Sequence, residues 1–96
     1  MVDKIKTQPK AIKEIAAIYI WYEEQSKGLG DKFFKELDAF FNKILRNPEH
    51  YKFVMEDVQR VLMKQFPYVI FFSIQKDKLF IVRVRHKKQM PLKRFK

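Results

Sequence analysis

Cysteine is absent from this 96-residue chain, which excludes a disulfide framework, a thiolate zinc site and a cysteine nucleophile. Glycine occurs only twice, at Gly28 and Gly30, too seldom for a glycine-rich phosphate loop. Paired metal ligands, an HExxH helix and a serine-centred elbow are also missing, so nucleotide-hydrolysing and metal-dependent enzymes are poor candidates and no cofactor or metal is expected. The longest uninterrupted apolar stretches, Ala16 to Tyr22 and Val69 to Phe72, are far too short to cross a bilayer, and the first residues lack a signal-peptide layout. A cytoplasmic protein without a membrane partner is the expectation. Acidic residues stop at Asp77.

That last absence makes the charge uneven. Residues 1–77 carry 13 Lys and Arg against 11 Asp and Glu, whereas residues 78–96 carry 8 Lys and Arg and no acid, giving +10 in all. A local cationic end favours a polyanionic partner, a nucleic acid or an acidic protein segment, through steering and counterion release. The tail cations Lys93, Arg94 and Lys96 read equally well as a solubilising surface.

What is plentiful is aromatic: ten Phe, four Tyr and one Trp, enough for the single core of one domain over residues 1–96. Val2–Lys6 alternates weakly, as a short edge strand would. Pro9 suits the first turn of a helix, and Ile12, Ile15, Ala16, Tyr19 and Tyr22 fall on one helical face, with Lys13, Glu14, Glu23 and Glu24 away from it. Gly28 is placed to stop that helix and Gly30-Asp31 to start the next. Phe33, Leu37, Phe40, Phe41 and Ile44 form a second stripe, which Asn47-Pro48 closes. Residues 49–57 have no clean period, and His50 among them reads as a surface histidine.

The segment 60–86 reads as three antiparallel strands. Arg60, Leu62, Lys64 and Phe66 alternate with Val61, Met63 and Gln65 until Pro67 interrupts, Tyr68–Ile74 is a nearly continuous apolar run, and Gln75–Lys78 is a hairpin turn. Strict alternation in the last strand puts Phe80, Val82, Val84 and His86 on the core side, and Leu79, Ile81, Arg83 and Arg85 on the other. If the cationic faces coincide, Arg60, Lys64, Arg83 and Arg85 converge on one side of the sheet, where arginine can clamp phosphates. The same residues also suit a solvated outer face that discourages edge pairing.

Several spaced motifs resemble the RelE/ParE superfamily of type II toxin–antitoxin systems, and most of all its ParE-like, plasmid-stabilisation branch. They are Tyr22-Glu23-Glu24-Gln25 with Gly28-Leu29-Gly30, Phe66-Pro67-Tyr68, and Val84-Arg85-His86 followed by Pro91. Gln89 stands where the family commonly carries an arginine, with Lys87 and Lys88 beside it. The resemblance implies an α+β fold: a short N-terminal strand and an antiparallel two-helix hairpin packed on a twisted, mainly antiparallel three- to four-stranded sheet. It also implies growth inhibition by a toxin bound to DNA gyrase and neutralised by a cognate antitoxin. Target contact falls to Arg60, Lys64, Arg83, Arg85, Lys87 and Lys88, and antitoxin contact to Trp21, Phe41, Arg83, Arg85 and Lys87.

Two further readings stand beside it. One is a metal-independent, ribosome-dependent mRNA endonuclease of RelE type, in which Arg60, Arg83, Arg85 and His86 are the catalytic candidates. The other is an inactive relative, or a small basic nucleic-acid-binding domain, which the glutamine at position 89 favours. A homodimer and a toxin–antitoxin hetero-oligomer are both compatible with the sequence.

Overall fold

A computed structural model describes residues 4–89, apart from the side chains of Lys4 and Gln89. Pro91 and the tail cations lie outside the described residues, as do Val2 and Asp3 of the expected first strand. The chain runs β1 (Lys4–Thr7), α1 (Pro9–Gln25), α2 (Leu29–Arg46), a short 3-10 turn at Pro48–His50, β2 (Gln59–Leu62), β3 (Tyr68–Gln75), β4 (Lys78–His86) and a second 3-10 turn at Lys87–Gln89. The sheet order is β1-β4-β3-β2; β1 is parallel to β4 and the other pairs are antiparallel. This is the expected α+β arrangement, with the helical hairpin covering one face of the sheet.

The hairpin between β3 and β4 turns on Lys76 and Asp77, whose φ angles of 49° and 67° are both left-handed. That is the backbone of a primed two-residue turn, which follows the natural strand twist. Neither residue is glycine, so the register is imposed by the strands on either side.

Strict alternation fails in β4. Its partners run Phe71↔Arg83 and then Phe72↔Ile81, so Val82 is an extra residue, a β-bulge. Before the bulge Leu79 and Ile81 are buried in the helix-covered core, and after it Val84 is. Phe80 and Val82, expected on the core side, are half-exposed on the outer face. One inserted residue exchanges the two faces midway along the strand.

The first helix is phased differently from the expected stripe, whereas the second keeps it. In α1 the buried residues are Ala11, Ile15 and Ile18, while Ile12 is 53% exposed. In α2, Phe33, Leu37, Phe40 and Ile44 are buried, and Phe41 is half-buried. Phe33 anchors an aromatic cluster, with ring centroids 5.9 Å from Tyr22, 5.5 Å from Phe66 and 5.7 Å from Tyr68. β2 is shorter than its alternating sequence suggests and ends at Leu62, because Met63 and Phe66 turn into the core and residues 63–67 bend around them.

Between the helices, Gly28 is at φ 89° and caps α2, which begins at Leu29 and not at Asp31. Its first N–H groups find their acceptor in the preceding helix: the Glu23 carboxylate accepts from Gly28 N at 3.1 Å and Gly30 N at 2.8 Å. This is the work of an N-cap side chain done by a residue of α1. Gly30 is buried where the helices cross, and a Cβ there would stand 2.8 Å from the Tyr19 carbonyl oxygen. Backbone cannot yield as a flexible side chain can, so Gly30→Ala is expected to push the helices apart and cost about 1–3 kcal/mol. Urea denaturation of the variant checks this, and an unchanged midpoint is the contrary result.

Candidate functional site

The outer face of the sheet is built from cross-strand rows. Arg60, Phe71 and Arg83 form one row, and Leu62, Val69 and Arg85 the next. Adjacent strands are ~4.8 Å apart, so the Arg60 and Arg83 backbones stand ~10 Å apart across Phe71. Phe71 and Val69 are buried even here, because Val58 and Met55 of the preceding loop fold against them. The floor beneath the arginines is therefore apolar and packed.

Arg83 points over the edge of the sheet. Its Nε and Nη2 donate to Glu14 Oε2 of α1 at 2.9 and 2.6 Å, and the other carboxylate oxygen accepts from Val84 N at 2.9 Å. The geometry follows from β1, whose pairing ends with Thr7 opposite Ile81, so the edge of β4 beyond that point has lost its neighbour. Glu14 fills the gap, capping one strand amide and neutralising one arginine. Both side chains are partly shielded, 17% and 23% exposed, which strengthens the pair relative to a surface bridge.

Lys64 separates from the group. It lies beyond the end of β2, and its N–H, with that of Gln65, donates to Glu36 Oε2 of α2 at 2.6 and 2.8 Å. Its side chain lines a groove beside α2 together with Lys32, Lys35 and Lys43. Arg60, Arg83 and Arg85 thus share the sheet's outer face, and Lys64 belongs to a different surface. Lys87 and Lys88 are exposed just past β4, tied to the sheet by Lys87 N donating to the Pro67 carbonyl at 2.8 Å.

His86 is on the helix-covered side, across the strand from Arg85. Its ring is edge-on to Tyr68 at 5.2 Å, and Nδ1 accepts the Lys88 N–H at 3.0 Å. The sequence-derived candidates Arg60, Arg83, Arg85 and His86 therefore do not face a common point. No three histidine, aspartate or glutamate side chains gather as a metal-ligand set among the described residues.

Trp21 is 53% exposed with its ring edge on Tyr22. It follows Glu14 by two helical turns on the same flank, and since Tyr22 meets Tyr68, the partner of His86, α1 runs alongside β4 toward its cationic end. Phe41 lies elsewhere. It lines an apolar groove of about 440 Å³ with Ile15, Phe34 and Leu37, flanked by Lys35 and Asp38. Trp21 and Phe41 are on separate surfaces of the hairpin.

Sequence reading missed the three glutamates that reach beyond their helices to backbone amides: Glu14, Glu23 and Glu36. Only Glu23 carried a signal, in its spacing from the Gly-Leu-Gly turn.

Burial raises the Tyr22 hydroxyl above the ordinary tyrosine value of 10.0, with Tyr68 adding to the effect. Burial raises Tyr68 as well, its hydrogen bond with Tyr22 acting in the opposite sense.

The ParE toxin family of type II toxin–antitoxin systems, parDE, matches residues 5–91. The chain belongs to that family. Among solved structures it is similar to the chromosomal ParDE TA system from P. aeruginosa, with a TM-score of 0.75 and 15% identity over 86% of this chain and 94% of that one. That likeness is one of fold. No curated protein sequence matches.

Two outcomes are expected. Glu14→Ala strands both Val84 N–H and the Arg83 guanidinium and should cost about 1–3 kcal/mol, with Glu14→Gln closer to the parent because its amide oxygen still accepts from Val84; denaturant melts of both variants decide it. In alkaline titration the unfolded chain releases the Tyr22 and Tyr68 protons first, so stability is full below the ordinary tyrosine pKa and falls as pH rises through it toward the raised values. Phenolate absorbance should show late-titrating tyrosines that revert to ordinary behaviour on unfolding.

Proposed function

We propose that this ParE-family chain is a toxin that arrests growth by binding DNA gyrase, without cleaving RNA, and that a cognate antitoxin neutralises it. The observation that carries the reading is the family match over residues 5–91 together with a cationic strand end, Arg85, Lys87 and Lys88, none of which has a carboxylate within salt-bridge distance among the described residues. Arg60 and Arg83 extend that surface across the sheet. Arg83, already neutralised by Glu14, contributes shape and hydrogen-bonding capacity more than net charge.

Binding is favoured over catalysis by the placement of the titratable group. General acid–base cleavage needs a proton-transferring side chain within reach of the same phosphate that the cations hold, and the histidine of this region, His86, is on the opposite side of β4 from Arg85, with Nδ1 engaged by the Lys88 amide. For the antitoxin, an acidic segment crossing Trp21 toward Arg85 and Lys87 would bury an exposed aromatic and pair with cations in one stretch. Phe41 would be reached only by a segment that also occupies the separate helical groove.

Induced expression is expected to arrest growth, with relief when the neighbouring antitoxin gene is expressed alongside. Purified protein should inhibit gyrase supercoiling, and R85E/K87E/K88E should raise the concentration needed about tenfold or more, as expected for reversing several contact charges. Normal supercoiling with cleaved messages in arrested cells would replace this reading with the endonuclease. Harmless expression of folded protein would replace it with an inactive relative.

A further inference from the structure

The groove beside α2 is distinct from the outer sheet face and shares only Lys35 with the groove at Phe41. Lys32, Glu36, Ala39 and Lys43 recur at helical spacing along one flank of α2, and the 63–66 loop comes up against that flank to close a groove of about 520 Å³. Lys32, Lys35, Lys43 and Lys64 rim it, and all four are exposed. The one carboxylate in the lining, Glu36, is committed to the backbone amides of Lys64 and Gln65. It holds the loop in place, and the rim keeps an excess of positive charge. Ala39 and the edge of Phe40 form an apolar floor.

We propose that this lysine-rimmed groove docks an acidic polypeptide segment with aliphatic side chains spaced between its carboxylates. Charge complementarity selects an anion, and three features select polypeptide over nucleic acid. The rim contains no arginine, so it offers no bidentate fork for phosphate. The only aromatic ring in the lining, Phe40, is buried and already lies beneath the Lys43 ammonium at 4.8 Å, so no open platform exists for a base to stack on. The floor of Ala39 and Phe40 is apolar and suits an aliphatic side chain, which a sugar–phosphate backbone does not carry.

The test uses the full chain and three fluorescent probes: a short helix-forming peptide with glutamate and leucine on one face, the same peptide with glutamine for glutamate, and a single-stranded oligonucleotide matched in charge. The acidic peptide is expected to bind in anisotropy titrations, to weaken as salt rises, and to shift the backbone amide resonances of Ala39 and Lys64. K32E/K35E should weaken it about tenfold or more, and Ala39→Glu should do the same from the floor, while both variants keep the parent melting curve because the altered side chains are exposed. Equal binding of the glutamine peptide, tighter binding of the oligonucleotide, or resonance shifts centred on Arg85 in place of Ala39 would each overturn the proposal. R85E/K87E/K88E is expected to leave peptide binding intact, which separates failure here from failure of the gyrase reading.

Discussion

The extra residue in β4 governs where every functional side chain of the last strand ends up. Leu79 and Ile81 enter the core on one phase of the pleat, and Val84 re-enters on the other. Without the insertion, the phase set by Leu79 and Ile81 would carry Arg83 and Arg85 inward beneath the helices, where an unpaired guanidinium is strongly unfavourable. The bulge lets one continuous strand turn Leu79, Ile81 and Val84 toward the hairpin and still be cationic outward at its end.

The helices do more than cover the sheet. Glu14, Glu23 and Glu36 each extend from a helix to amides that no regular element satisfies: a strand edge left when β1 ends, the first turn of α2, and the loop after β2. Each of these amides would otherwise depend on solvent. The carboxylates thereby fix the three irregular junctions of the fold, and Glu14 also takes one arginine out of the pool of free positive charge. The net basicity of the chain thus overstates what the outer sheet face presents, and the lysines on the α2 flank account for part of the remainder.

Much of the architecture was legible in the residues. Pro9 marked the start of α1, the polar break after Ile74 marked the hairpin, and the Phe-rich period of α2 marked its buried side, because each rests on local chemistry. The errors came where tertiary structure overrides local period. Ile12 fits the stripe of α1 but faces outward, since the sheet and α2 together select the Ala11, Ile15, Ile18 phase. Lys64 continues the alternation of β2, yet Met63 and Phe66 gain more by turning inward than by prolonging an edge strand. The bulge has no residue signature at Val82, and the three bracing glutamates look like ordinary solvent-facing acids. A site assembled from opposite ends of the chain, Glu14 with Arg83, cannot be read from spacing.

The parallel β1–β4 pair joins the first described residue to one near the end, with Lys4 opposite Lys78. The helical hairpin and the β3–β4 hairpin can each form from near neighbours, but this pairing closes a loop spanning most of the polypeptide for the return of a four-residue strand. Closing so long a loop carries an entropic cost, and the same closure lets α1 lie against β4, where Glu14 meets Arg83 and Val84. The amino-terminal strand is thus the seam of the molecule, where the front of the chain is stitched to its last strand.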